Sequence, residues 1–221
     1  GRLSMTLLAG LDTGTTSGIA IIRGDYLVHA EAKRLNLEDN RDGEVFLSAS
    51  QWVSSVLSRF DVTELAYEGP LPRNAKKSVM VQGKDGPEKV MRPLGSQRTF
   101  NRLLGLRGVY VAALEFEARR RAAIGQKFTY REVNNKVWRS VVYGPSSPPK
   151  SVSNTSLWWK QKALERCRLI RWGVTQTDAA ESAMIAEWLR ITRKSEQLGF
   201  AVRDESPDLF EPKSTKRDTP F

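Results

Sequence analysis

The chain has 221 residues, a formal net charge of +10 and an ordinary globular composition, 40% hydrophobic and 27% charged. That length suits one α/β domain with a real core. The single cysteine, Cys167, excludes an internal disulfide and a cysteine-based zinc site. No apolar run approaches the roughly 20 residues of a membrane-spanning helix and no secretory leader is visible, so an intracellular protein is expected, cytoplasmic or nucleoid-associated. The positive charge is local. From Leu71 to Arg139 sixteen Lys and Arg stand against five Asp and Glu. A basic middle between neutral ends points either to a polyanion-binding face, with nucleic acid the first candidate, or to a solvated basic surface.

In chain order, Leu7–Ile22 (LLAGLDTGTTSGIAII) is two apolar runs around a small-residue turn. It predicts two adjacent antiparallel strands covered on both faces, with Asp12 at the end of the first. Tyr26–Arg34 alternates as a third strand after the tight turn at Gly24-Asp25. A polar loop, Leu35–Gly43, leads into Glu44–Phe60, whose apolar residues recur at helical spacing. Thr63–Glu68 is a short strand that ends before Gly69-Pro70. Leu71–Ser96 shows no periodicity and reads as a long basic loop. Gln97–Ile124 is a long helix whose basic end, Arg119-Arg120-Arg121, suits a helix C-terminus, with Gly125 closing it. Phe128–Val133 is a fifth strand, and Asn134 caps a short helix through Val142. After the breaker Gly144–Pro149 come two more helices, Leu157–Ile170 and Thr177–Thr192, the latter with Thr177 as N-cap. The predicted architecture is an α/β domain over residues 5–194 with a basic loop insertion at 71–96. The polar stretch 195–221 is expected to be a mobile tail.

Four acids stand in apolar or small-residue surroundings. Asp12 and Glu68 end strands, and Asp178 and Glu181, three residues apart, share one face of the last helix. Each has an ordinary structural reading: a turn former, a strand end, a helix-start residue, a surface acid. As a set they differ, because clustered carboxylates repel one another and need cations to stay ionised. All-oxygen donors suit hard divalent ions, Mg²⁺ or Mn²⁺, and a pair of such ions can drive phosphodiester hydrolysis. The sole histidine, His29, lies mid-strand and reads as a packed residue, which removes the His-rich metal sites.

These pieces together resemble the RuvC family of Holliday-junction resolvases, within the ribonuclease H-like superfamily. LLAGLDTGTTSGIAII looks like the family's first hairpin and LAYEG like its fourth strand. GLRGVYVAAL, Gly105 to Leu114, looks like the helix that helps form the dimer, and TDAAESAMIAEW is similar to the final helix. The resemblance implies a ribonuclease H-like mixed five-stranded sheet flanked by helices, and a homodimeric metal-dependent endonuclease of branched DNA. It implies two Mg²⁺ per site, replaceable by Mn²⁺, on Asp12, Glu68, Asp178 and Glu181, with no membrane and no nucleotide cofactor involved. A basic residue ahead of the last helix serves near the scissile phosphate in this family; Lys150, Lys160 and Lys162 are the candidates, with Lys160 preferred. DNA contacts are expected from Arg73, Lys76, Lys77, Lys84, Lys89, Arg92, Arg98, Arg102, Lys150 and Lys162. The sequence departs from the family in carrying Glu at 181, where many members have Asp or His, and Leu71-Pro72 where an aromatic residue often follows the fourth strand.

Two other readings compete. DTGTTSG also resembles the first phosphate loop of the actin, heat-shock chaperone and sugar-kinase superfamily, which would make this an ATP-binding protein. That superfamily needs a second lobe and a second phosphate loop, and the chain offers neither length nor motif for them. The third reading is a non-catalytic nucleic-acid-binding module that kept the fold; loss of one of the four acids would favour it, and none is lost.

Overall fold

The structure, a computed structural model, describes residues 6–35, 41–69, 76–83, 86–93 and 97–199. Among the described residues, seven strands and five helices follow in the order β1 (Leu7–Asp12), β2 (Thr16–Arg23), β3 (Tyr26–Arg34), α1 (Asp42–Arg59), β4 (Val62–Glu68), β5 (Lys76–Gly83), β6 (Gly86–Pro93), α2 (Gln97–Ala122), β7 (Thr129–Val133), α3 (Asn135–Tyr143), α4 (Thr155–Leu169) and α5 (Thr177–Gln197). The predicted five-stranded mixed sheet is present, in the order β3-β2-β1-β4-β7. β1 runs antiparallel to β2 and parallel to β4, and β4 parallel to β7.

Both sheet faces are covered, as the unbroken apolarity of β1 and β2 requires. Leu8, Ala20, Ile22 and Ala66 pack on one side with Trp138 of α3, Leu164 of α4 and the alanines of α5. Leu7, Ala9, Leu11, Ile19, Ile21 and Leu65 pack on the other with Val53 and Leu57 of α1 and Leu106, Tyr110 and Leu114 of α2. Successive strand residues alternate between these two cores, so the chain needs no polar face there.

The helix that closes the sheet is α5. A Cβ on Gly10 would stand 2.1 Å from the Ser182 carbonyl oxygen, and one on Gly18 2.2 Å from that of Asp178. Only bare backbone at both positions, met by Ala179, Ala180, Ala183 and Ala186, lets α5 lie this close to β1 and β2.

Three expectations need correcting. The stretch read as an aperiodic loop, 71–96, contains an antiparallel hairpin. β5 and β6 pair in register from Lys76 opposite Pro93 to Gly83 opposite Gly86, with two residues between the strands. The proline at either end of β6 and the Gly pair hid it, since both argue against strand; a hairpin outside the main sheet meets neither objection. The N-cap of α5 is Gln176, not Thr177, and makes no side-chain cap bond. Its amide oxygen instead accepts from the Ala32 N–H on β3 at 3.1 Å. Finally α5 continues through Ser195 to Gln197; residues 200–221 of the expected tail lie outside the described residues.

Candidate active site

Parallel strands β1 and β4 are hydrogen-bonded neighbours, with Leu11 opposite Tyr67. Their C-terminal ends therefore bring Asp12 and Glu68 side by side, at the edge where open α/β sheets place ligands. Because α5 starts against Gly18, it carries Asp178 and Glu181 over the same edge. One carboxylate oxygen each from Asp12, Asp178 and Glu181 lies within 4.8 Å of the others. Glu68 is not in that trio. It lines the same cleft, but Trp138 Nε1 donates to its Oε2 at 2.7 Å. The cleft, about 600 Å³, is also bounded by Thr13–Thr16, Asn135, Arg139, Trp159 and Lys160.

Hydrogen bonds fix the frame around these acids. Thr13 Oγ1 donates to the Glu68 carbonyl at 2.7 Å, tying the β1 turn to the end of β4. The Asp12 N–H donates to Ser182 Oγ at 3.3 Å, and that hydroxyl donates to the Asp178 carbonyl at 2.9 Å. Tyr110 of α2 donates to Ser17 Oγ at 2.6 Å, and Ser17 to the Gly14 carbonyl at 2.8 Å, so the turn is held from the opposite core as well.

Among the described residues, two side-chain cations face the acids. Lys160 Nζ donates to Asp178 Oδ1 at 2.6 Å, and Thr177 Oγ1 to Oδ2 at 3.0 Å. Burial works against the lysine charge, but the Asp178 bond and the charges of Asp178, Glu181 and Asp12 outweigh it and raise its pKa. Arg139 Nη2 donates to Glu181 Oε1 at 3.0 Å. These cations do not neutralise the set. Burial, then the charges of Glu181, Glu68 and Asp178, push the Asp12 carboxyl well above its ordinary value. Burial and Glu68 push Glu181 up to about 7 against Arg139 and Lys160. Burial also raises Glu68, opposed by Arg139, Trp138 and Asn135. An all-oxygen donor set that resists ionisation in this way fits a hard divalent cation.

Of the other residues singled out in the sequence, Lys162 lies over the rings of Tyr143 (5.6 Å) and Trp158 (4.8 Å), outside the acid cluster. Lys150 is exposed in the α3–α4 connection. Arg102 donates from Nε to Asp42 Oδ1 of α1 at 2.8 Å. Lys76 and Lys77 lie in β5, Lys89 and Arg92 in β6 with Lys77 opposite Arg92, and Arg98 in the first turn of α2. Arg73 and Lys84 lie outside the described residues. His29 is half-buried, its ring 5.0 Å from Phe60, away from the cleft. Sequence reasoning missed Trp138 and Arg139. α3 reads as a small amphipathic helix, and nothing in its pattern says that its tryptophan N–H and the neighbouring guanidinium meet acids from β4 and α5.

No protein-family model matches the chain, and no curated protein sequence does. Among solved structures, that of Thermus thermophilus RuvC is similar over 89% of this chain and 98% of its own, with 15% identity and a TM-score of 0.56. T. thermophilus RuvC in complex with a Holliday junction substrate is similar over 88% and 96%, with 13% identity and a TM-score of 0.54. The yeast mitochondrial Holliday junction resolvase Ydc2 is similar over 87% and 83%, with 13% identity and a TM-score of 0.50. The resemblance read from the motifs therefore holds at the level of the fold, and the chain has the ribonuclease H-like architecture of the RuvC resolvases.

Proposed function

We propose that this chain is a metal-dependent, structure-selective endodeoxyribonuclease that resolves four-way DNA junctions by paired strand cuts. The observation that carries the reading is the convergence of Asp12, Asp178 and Glu181 within 4.8 Å, beside Glu68, in an open cleft at the sheet edge. The overall fold that positions the cleft is similar to that of a protein described in complex with a Holliday junction substrate, which supports the reading.

Asp12, Glu68, Asp178 and Glu181 would hold two Mg²⁺, with Mn²⁺ able to substitute. Such ions, when bound, ease formation of the attacking hydroxide and of negative charge on the departing 3′ oxygen. The protein's own contribution is placement. Ser182 and Thr13 hold the strand ends and α5 in register, so the carboxylates meet the substrate without rearranging. Lys160 orients Asp178 and presents a cation at the cleft. The basic stretch from the β5–β6 hairpin into α2 would hold backbone phosphates without reading bases. Paired cuts require two sites related by a two-fold axis; Leu104 and Phe116, apolar and exposed on α2, suit a homodimer contact.

The test is cleavage of four-way, forked and linear DNA with and without Mg²⁺. Paired nicks confined to branched substrates and to Mg²⁺ or Mn²⁺ are expected. An absence of cutting with every divalent ion, while junctions are still bound, would favour the non-catalytic module instead.

A further inference from the structure

Among the described residues, the cleft contains one cation to which the proposed chemistry gives no task. Arg139 lines it, with its side chain 18% exposed. Its guanidinium carbon lies 5.0 Å from the Trp138 ring centre and 4.9 Å from that of Trp159. Neither ring is free to move aside. Trp138 is fully buried and bonded to Glu68, and Trp159 is stacked on Tyr143 at 5.7 Å and meets Trp158 edge-on at 4.6 Å. Arg139 is thus a planar cation held by two aromatic faces, a setting in which arginine keeps its charge and its geometry.

A guanidinium has five donors. Glu181 takes one from Nη2, and Nε is buried with no partner among the described residues. A residue serving only as counter-ion to Glu181 would need none of this aromatic clamping. A residue that must meet a charged group of fixed geometry, arriving from outside, needs all of it, since forked donors match phosphate oxygens. Lys160 sits at a different corner of the cluster, on Asp178. The two cations therefore approach the same space from α3 and α4.

Building on the nuclease reading, we propose that Arg139 is a second catalytic cation: its guanidinium contacts a non-bridging oxygen of the scissile phosphodiester. In the step it serves, a water oxygen bonds to phosphorus and the bond from phosphorus to the 3′ oxygen breaks. The water's proton is given up, and the 3′ oxygen leaves and is protonated, giving a 5′ phosphate and a 3′ hydroxyl. Negative charge gathers on the non-bridging oxygens meanwhile, and a preorganised donor there accelerates the step.

The experiment compares wild type, Arg139→Gln and Arg139→Lys on one four-way junction. It records the single-turnover rate across a Mg²⁺ titration, the junction Kd in EDTA and the melting temperature. Removing one such donor is worth about 10²-fold or more in rate. Arg139→Gln should lose about that at saturating Mg²⁺, with the half-saturating Mg²⁺ concentration not raised and Kd within about threefold. Arg139→Lys, which keeps the charge but not the fork, should fall between; if the Gln variant melts early, the Lys variant carries the comparison. A rate within about threefold of wild type at saturating Mg²⁺ overturns the proposal. So does a defect that high Mg²⁺ fully repairs, because that is what a residue merely positioning Glu181 would give. If the wild-type protein cuts no branched DNA, the nuclease reading falls and this assignment with it. If it cuts and the variants cut equally well, only the role of Arg139 falls.

Discussion

Gly18 lies directly beneath Asp178: a Cβ on the strand residue would stand 2.2 Å from the helix residue's carbonyl oxygen. The contact joins the start of β2 to the first turn of the last helix, and it sets the height of α5 above Asp12. Gly18→Ala must push α5 outward or bend β2. Overpacking of this kind costs typically 1–3 kcal/mol. The variant should melt several degrees below wild type and lose divalent-ion binding measured by calorimetry. Gly43→Ala, at an exposed helical position with open space around it, should melt at or above the wild-type temperature. Equal melting of the Gly18 and Gly43 variants would show that α5 is not held by this contact.

Asp12→Asn, Glu68→Gln and Asp178→Asn should each abolish cleavage and keep junction binding. Neutral isosteres remove affinity for the ions and leave the basic surface intact, and binding tightens if a negative charge facing phosphate is lost. Cleavage assays and gel shifts on the same junction read both effects. Substantial residual cutting by Asp12→Asn or Asp178→Asn would refute the four-carboxylate site.

Arg121 illustrates a different use of the basic run that ends α2. Its guanidinium is 2% exposed and reaches the Leu57, Phe60 and Val62 carbonyls at 2.9, 3.0 and 2.6 Å, besides Glu117 and Asp61. It closes the C-terminus of α1 and the turn into β4. Removing one partner of a buried ionic network costs about 3–5 kcal/mol, so Arg121→Ala should lower the melting temperature by roughly 10 °C for a domain of this size. Arg119→Ala, on an exposed pair with Glu115, should shift it little. Thermal unfolding by circular dichroism separates the two; a small shift for Arg121→Ala would mean the carbonyls find other donors.

What was legible in the sequence was local pattern. The apolar runs about Asp12, the LAYE strand and the alanine-rich TDAAESAMIAEW helix each carry their own periodicity, and their acids fall where strands end or a helix begins. The five-stranded sheet and the gathering of the acids follow from those signals plus the glycines that permit close approach. What was not legible depends on partners distant in the chain. Arg121 reads as a helix-end charge until the α1 carbonyls are placed beside it. Arg139 and Trp138 read as helix face and core until β4 and α5 bring Glu68 and Glu181 to them. The β5–β6 hairpin was obscured because a two-stranded ribbon outside the main sheet needs no apolar alternation and tolerates proline at its ends.

The hairpin leads to a prediction in salt. If Lys76 and Lys77 lie against DNA arms, replacing both by alanine should weaken binding to all junction sequences alike. It should also reduce the slope of log K against log salt by roughly one to two units. Cleavage at saturating protein should survive. Unchanged affinity and slope would make β5 a solvated surface, and an altered cleavage sequence at constant slope would make it a reader of the junction centre.

The acids predict an inverted pH dependence of stability in the absence of divalent ions. Glu181 is raised from the ordinary 4.5 to about 7, first by burial and then by Glu68, and Asp12 and Glu68 are raised as well. Between those values the folded protein binds more protons than the unfolded chain, so stability falls as pH rises. The contribution is fully present below the unfolded carboxylate pKa and is gone above about pH 7. For Glu181, which is 5% exposed, the shift corresponds to about 3 kcal/mol. In EDTA the protein should therefore melt higher near pH 5 than near pH 8, and Glu181→Gln should reduce that difference because nothing is left at 181 to ionise. Mg²⁺ should reverse the trend, raising the melting temperature more at pH 8 than at pH 5, since its ligands must be deprotonated to bind it. A Glu181→Gln variant with the wild-type pH profile in EDTA would show that Glu181 is already charged in the ion-free protein, with Arg139 a sufficient partner for it.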